Sequence, residues 1–263
     1  MPDRAETIAK PQTFLSGAAL VIGGSGGIGQ GICQALARHG SNVALTYRNN
    51  KQAAEATVAM VEALGSQSEA YRVDLSERDR VLEMFQAAQE RFGSIHTVVF
   101  AAGADITMTY VANIDPEEWQ STLDGELTGF FNVIKAALPA MRKSGGGSIL
   151  ALTSAGIHRH PPLDILSVVP KAGIEALIRG IAREEGRFNI RANSIAPGVI
   201  DGGLFERLKQ QITPQFVEAM KTNTALRRFG SIREVADVVA FLATPAAAYV
   251  TGQHICVDGG YSV

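Results

Sequence analysis

Short runs rich in Val, Ile, Leu and Ala recur along the chain between longer amphipathic stretches. They cover residues 18–22, 42–47, 70–73, 97–101, 148–153, 190–196 and 254–257. Runs this short, bounded by polar or glycine-containing segments, read as strands rather than buried helices. Between them the apolar positions take helical spacing, as at Ile28, Ile32 and Leu36. Helix-start signals stand at Ser76 with Asp79, at Asp115-Pro116 with Glu118, and at Ser231 with Glu234. Strand and helix therefore alternate throughout. The pattern predicts an α/β, doubly wound (Rossmann) fold with a mainly parallel seven-stranded sheet and helices on both faces. Near-continuous apolar strands imply that both sheet faces are covered. Right-handed crossovers then place a ligand crevice at the carboxyl ends of the strands. An eight-unit barrel fits the strand count less well.

No Pro/Ser-rich linker or charge block divides the 263 residues, which predicts one domain over residues 14–263 after a flexible, polar tail at 1–13. That tail lacks the apolar core of a signal peptide. Residues 201–224, irregular and then amphipathic, are expected to form a mobile lid that shapes substrate choice. A hydrophobic fraction of 46% is enough for a sizeable core. The formal net charge of -2, with both signs scattered, gives no footprint for nucleic acid or an anionic membrane. Nor does any uncharged apolar run reach the roughly 18 residues that span a bilayer. Cys33 and Cys256 lie far apart in apolar stretches, so neither a disulfide framework nor a metal site is expected, and the cytoplasm is the expected compartment.

The first run leads directly into Gly23-Gly24-Ser25-Gly26-Gly27-Ile28-Gly29, which opens a helical pattern. Glycines there let the backbone turn tightly and approach a dinucleotide diphosphate, whose charge meets free amides and the positive end of the helix dipole. Gly23, Ser25, Gly27, Ile28 and Gly29 are the candidate contacts. At the end of the second run stand Arg48 and Asn49, where an acid would hold a ribose 2'-hydroxyl. Arg48 instead offers a planar fork to a 2'-phosphate, which favours NADP(H) over NAD(H).

In these features the chain resembles the short-chain dehydrogenase/reductase family along almost its whole length. The resemblance rests on the glycine loop, on Asp74-Leu75, Ala101-Ala102-Gly103 and Ser154 after the third, fourth and fifth runs, and on Lys171-Ala172-Gly173. It extends to Asn193-Ser194-Ile195-Ala196-Pro197-Gly198 after the sixth run and to the ending Val257-Asp258-Gly259-Gly260. It implies that Asp74, with Leu75 beside it, meets the adenine amine, and that Ala101, Ala102 and Gly103 line the adenine ribose. It further implies that Lys171 holds the nicotinamide ribose and that Pro197, Gly198 and Ile200 flank the nicotinamide.

The family's catalytic pattern is a serine, a tyrosine thirteen residues on and a lysine four further. Ser154 and Lys171 fit it, but Ser167 stands where the tyrosine belongs. A serine hydroxyl is a far weaker acid than a phenol and is too short to reach the same point. The asparagine position of the preceding helix holds Glu126, which with Lys171 could orient a water as a proton relay. These departures resemble the 2,4-dienoyl-CoA reductase branch, especially its peroxisomal type. The leading expectation is thus hydride transfer to a conjugated small-molecule or acyl-thioester substrate, with Ser154 bonding its oxygen and Glu126, Lys171 and water handling the proton. A ketoreductase of the 3-oxoacyl kind with an unusual acid is the alternative, and a non-catalytic nucleotide-binding homologue is a third. His158 and His160 could touch substrate, and Asp164 is near enough in sequence to carry a proton. Family members usually form homotetramers through the helices after strands four and five and the C-terminal strand, which implies the same assembly here.

Overall fold

The computed structural model describes residues 14–203, 205–206, 209–210 and 212–263, so the expected tail and four positions of the expected lid lie outside the described residues. The chain builds strands β1 (Ala18–Ile22), β2 (Asn42–Tyr47), β3 (Ser68–Arg72), β4 (Ile95–Phe100), β5 (Gly147–Leu152), β6 (Ile190–Pro197), β7 (Ile200–Asp201), β8 (Gly230–Ser231) and β9 (His254–Val257). Seven form one sheet in the order β3-β2-β1-β4-β5-β6-β9, and every described pairing in it is parallel. β7 and β8 make a separate two-stranded pair.

Strand alternation divides the core. Ala18, Leu20 and Ile22 of β1 face one apolar cluster while Ala19 and Val21 face the other. The first cluster is closed by α3 (Arg78–Phe92), α5 (Gly129–Lys143) and α7 (Ile165–Glu185), the second by α1 (Gly27–Arg38), α2 (Lys51–Glu62) and α8 (Ile232–Ala243). Covering both faces requires all five residues of β1 to be buried, and they are. The doubly wound expectation therefore holds.

Element ends differ from the sequence reading where polar residues do structural work. β3 starts at Ser68 because it is the polar edge strand Ser-Glu-Ala-Tyr-Arg, which an apolar run under-reports. β4 starts at Ile95 because His96 is buried inside it, its Nε2 lying 3.2 Å from Ser41 Oγ. Ser76 does not cap α3. Its hydroxyl donates to Asp74 Oδ1 at 2.7 Å, and the helix begins one residue later than expected, with Glu77 at the N-cap. The other two signals hold. Asp115 accepts the Glu117 and Glu118 amides ahead of α4 (Pro116–Leu123), and Ser231 with Glu234 forms a complete capping box. Among the described residues no helix is long and apolar enough to cross a membrane.

Candidate active site

β1 and β4 are neighbours, yet the connections leaving them run to opposite sides of the sheet, which opens a crevice above their carboxyl ends. The glycine loop fills the β1 side. Gly23 takes φ +80, where a Cβ would lie 2.8 Å from the Ala102 backbone, so the loops following β1 and β4 close on each other. Its N–H donates to Thr46 Oγ1 at 3.0 Å. Gly26 precedes α1 without any side-chain cap, and the first turn carries no acid. The amides of Gly27, Ile28 and Gly29 are therefore left for an anion. Such a cradle fits a dinucleotide diphosphate, and Ser25 stands half-buried at its edge. A Cβ on Gly29 would come within 2.2 Å of the Gly23 carbonyl oxygen, which also accepts the Gly26 N–H. Gly29→Ala should accordingly open the loop and weaken dinucleotide binding roughly tenfold or more, as read by fluorescence titration.

At the far end of the crevice Arg48 and Asn49 are exposed beyond β2. The Arg72 side chain, at the end of β3 and in register with Tyr47, donates to the Arg48 carbonyl at 3.1 Å. Two arginines thus end neighbouring strands. Arg72 lies within the expected run 70–73, but its reach to the Arg48 carbonyl follows from the register of β3 against β2, which no local signal reports. The hydroxyl and then the amide of Ser76, with a smaller pull from Arg48, hold the Asp74 carboxyl below the usual range. Leu75 offers its carbonyl to Asn132 Nδ2 at 2.9 Å, which ties this strand end to α5. Ala101, Ala102 and Gly103 follow β4 on the crevice wall. Pro197 ends β6, Gly198 donates to the Val257 carbonyl, and Ile200 begins the β7 pair. A Cβ on Gly27 would meet Gly203 Cα at 2.7 Å, so the start of the expected lid packs directly on the glycine loop.

The reactive end is built by three elements. α4 runs into α5 through residues 124–128, wound as a π turn, a widening that carries Glu126 inward to 2% exposure. Glu126 accepts Lys171 Nζ at 2.9 and 3.2 Å and the Ala104 amide at 2.9 Å. Lys171 comes from α7, one turn after Ser167, and both are half-buried. Ser154, just past β5, accepts the Gly156 amide on Oγ at 3.0 Å, which leaves its hydroxyl hydrogen to donate.

The third element is the loop between α6 (Gly156–Arg159) and α7. His160 and Leu163 both take left-handed backbone there, φ +46 and +73, and the chain doubles back. The result drops Asp164 over Gly156, where a single added Cβ would meet Ser154 Oγ at 3.0 Å and Asp164 Oδ2 at 3.2 Å. Burial pushes the Asp164 carboxyl up to about 6, opposed by Lys171 and reinforced by Glu126, which places all three charges in one field. Beside it a cavity of about 200 Å³ is walled by Tyr110, Val111, Pro161, Pro162, Leu163 and Val168. His158 turns away, toward β9.

A family model described as enoyl-(acyl carrier protein) reductase matches residues 23–262. A 3-oxoacyl-(acyl-carrier-protein) reductase from Staphylococcus epidermidis is 37% identical, covering 92% of this chain and 97% of that protein. A short-chain type dehydrogenase/reductase from Mycobacterium ulcerans superposes with a TM-score of 0.89 at 30% identity, over 95% of this chain and 91% of that one. The chain belongs to the short-chain dehydrogenase/reductase family. A blue fluorescent protein from a metagenomic library, solved in complex with NADPH, gives a TM-score of 0.86 at 29% identity over 95% of this chain and 99% of its own.

Membership makes this short-chain dehydrogenase/reductase an oxidoreductase and sharpens what is odd about its site. Ser167 and Lys171 lie one turn apart on α7, and a serine hydroxyl is a far weaker acid than a phenol. Asp164, which sequence distance marked only as nearby, is the titratable group the fold brings in. Asn193, a motif residue, is structural here. It is fully buried and grips the Val250 carbonyl and the Gln253 amide ahead of β9.

Proposed function

We propose that the protein is an NADP(H)-dependent reductase of 3-oxoacyl thioesters, with Asp164 supplying the proton that a tyrosine supplies elsewhere in the family. The observation that carries this reading is the placement of the Asp164 carboxyl, which burial raises to about 6, beside Gly156 on the same side as the Ser154 hydroxyl. A carbonyl that receives hydride needs a hydrogen bond and a proton at its oxygen. Ser154 donates the first and Asp164 the second. The paired Lys171 and Glu126 keep the local charge balanced and return a proton to Asp164 through water. The whole-length likeness to a 3-oxoacyl-(acyl-carrier-protein) reductase supports the substrate class, and the apolar cavity beside Asp164 gives an acyl chain its wall.

The dinucleotide supplies the hydride from its reduced nicotinamide. For this chain's part, Gly23, Ser25, Gly27, Ile28 and Gly29 hold the diphosphate, Asp74, Leu75 and residues 101–103 the adenosine, and Lys171 with Pro197, Gly198 and Ile200 the nicotinamide end. Arg48, joined by Arg72, faces the 2'-phosphate. Arg48→Ala should reduce the preference for NADPH over NADH by roughly tenfold, the size of one charge-assisted contact, in paired affinity titrations. Residues 201–224 serve as the lid, and the exposed Phe131 of α5 is a surface for a homotetramer.

Reduction of a conjugated double bond is the second reading, favoured by the description of the matching family model and by the buried Lys171–Glu126 pair. NADPH oxidation followed with matched 3-oxoacyl, 2-enoyl and 2,4-dienoyl thioesters separates the two. Turnover greatest with the 3-oxoacyl member supports the carbonyl reading, turnover of the unsaturated members alone supports the second, and turnover of none sinks both.

A further inference from the structure

We infer that His158, His254 and Cys256 form a binding site for one divalent zinc-class ion at the open edge of the sheet, apart from the crevice. No spacing motif joins these residues, since the two histidines lie 96 positions apart and Cys256 stands alone in an apolar run. The fold joins them. α6 leaves β5 toward the sheet edge and presents His158, while His254 and Cys256 alternate along β9 and so share one of its faces. Their three ligand atoms all lie within 4.8 Å of one another, and the two Nε2 atoms face each other at 2.6 Å.

Without a metal the two rings share a hydrogen bond through their Nε2 atoms, and the group left unsatisfied is the carboxylate behind His254. Behind His254, Ser194 Oγ lies 3.0 Å and Glu175 Oε1 2.7 Å from Nδ1. Glu175 is only 5% exposed, and its Oε1 makes no hydrogen bond. A cation on His254 Nε2 fixes the proton on Nδ1, and a small ring rotation then delivers that N–H to the orphaned carboxylate. Carboxylate–imidazole–metal chains orient and strengthen such ligands in this way. Opening the two Nε2 atoms to about 3.3 Å suits bonds of about 2.0–2.1 Å from both to one tetrahedral ion, with the thiolate third and water fourth. Two imidazoles and a thiolate suit zinc rather than the oxygen-seeking magnesium or calcium. Cys256 is exposed and free, unlike the buried Cys33, whose thiol is pushed far up by burial. Occupied, the site would clamp α6 to β9 and so steady the loop that begins at Ser154.

The test uses the full-length protein, stripped with chelator and titrated with ZnCl2 in equilibrium dialysis, then with CoCl2 in absorption spectroscopy. The expected result is one ion per chain and a thiolate-to-cobalt charge-transfer band. Cys256→Ser should abolish that band. His158→Gln and His254→Gln should each weaken zinc binding at least tenfold, and Glu175→Gln by roughly 10–100-fold. Circular dichroism on each variant separates ligand loss from misfolding, and His158→Gln, an exposed change, keeps the fold intact. No band, or zinc affinity unchanged in both His158→Gln and Cys256→Ser, would overturn the site. None of these readouts depends on turnover or on the substrate class.

Discussion

Asp164→Asn should lower the rate constant for carbonyl reduction by roughly 10²–10⁴-fold, the usual contribution of a positioned general acid, while making the folded protein more stable at pH 7. The two effects have one cause. Burial first, and then the Glu126 charge, raise the Asp164 carboxyl from the ordinary 3.8 to about 6 against the opposing pull of Lys171. In that window the folded chain keeps a proton that the unfolded chain releases, so stability falls as pH climbs from 3.8 to about 6 and is level above. At 1.36 kcal/mol per unit the full cost at pH 7 is about 3 kcal/mol, and asparagine, which carries no charge, should recover about 1–3 kcal/mol of it. Single-turnover kinetics and urea denaturation read the two halves separately. A variant with full turnover removes Asp164 from the proton path, and one with no stability gain removes the buried charge.

Glu126→Ala is expected to be the most destabilising single change at the site, at about 3–5 kcal/mol, because it strands a buried partner charge. The Lys171 side chain is 14% exposed and Glu126 2%, so water cannot replace the lost carboxylate fully, and the Ala104 amide loses its acceptor as well. For a chain of this size the melting temperature should drop by roughly 10 °C. A pair replacement, Glu126→Leu with Lys171→Met, should recover most of that loss but not activity. Because Glu126 helps hold the Asp164 carboxyl high, removing it alone should also move the limb on which the rate falls with rising pH to lower pH. A variant as stable as the parent would mean that the ion pair carries no structural weight.

The legibility of this fold from sequence tracks how local each feature is. Interior strands such as β1 and β5 are read directly because both faces bury apolar side chains, and the Ser231–Glu234 capping box is visible because its partners are three residues apart. The glycine loop was readable for the same reason, since its chemistry is carried by consecutive residues between one strand and one helix. The edge strands were legible as runs at 70–73 and 254–257, but β3 and β9 are only partly buried, and the cross-chain partners of Arg72 and Cys256 depend on register and packing that no local pattern reports. Asp164 was visible as a residue but not as a site member, because its position depends on two left-handed turns at His160 and Leu163, neither of which is glycine. Ser167 illustrates the converse: spacing located it without saying what replaces the missing phenol. Glu126 enters the site through a widened helical turn, a detail of winding that no helical period reports.

The most direct test of the central claim is the pH dependence of single-turnover NADPH oxidation with a 3-oxoacyl thioester. With Asp164 as the proton donor, the rate should be level at low pH and fall with unit slope as pH rises through about 6, and that limb should vanish in Asp164→Asn. A rate that stays level from pH 5 to pH 8 in the parent protein, or a limb that persists unchanged in Asp164→Asn, would contradict it.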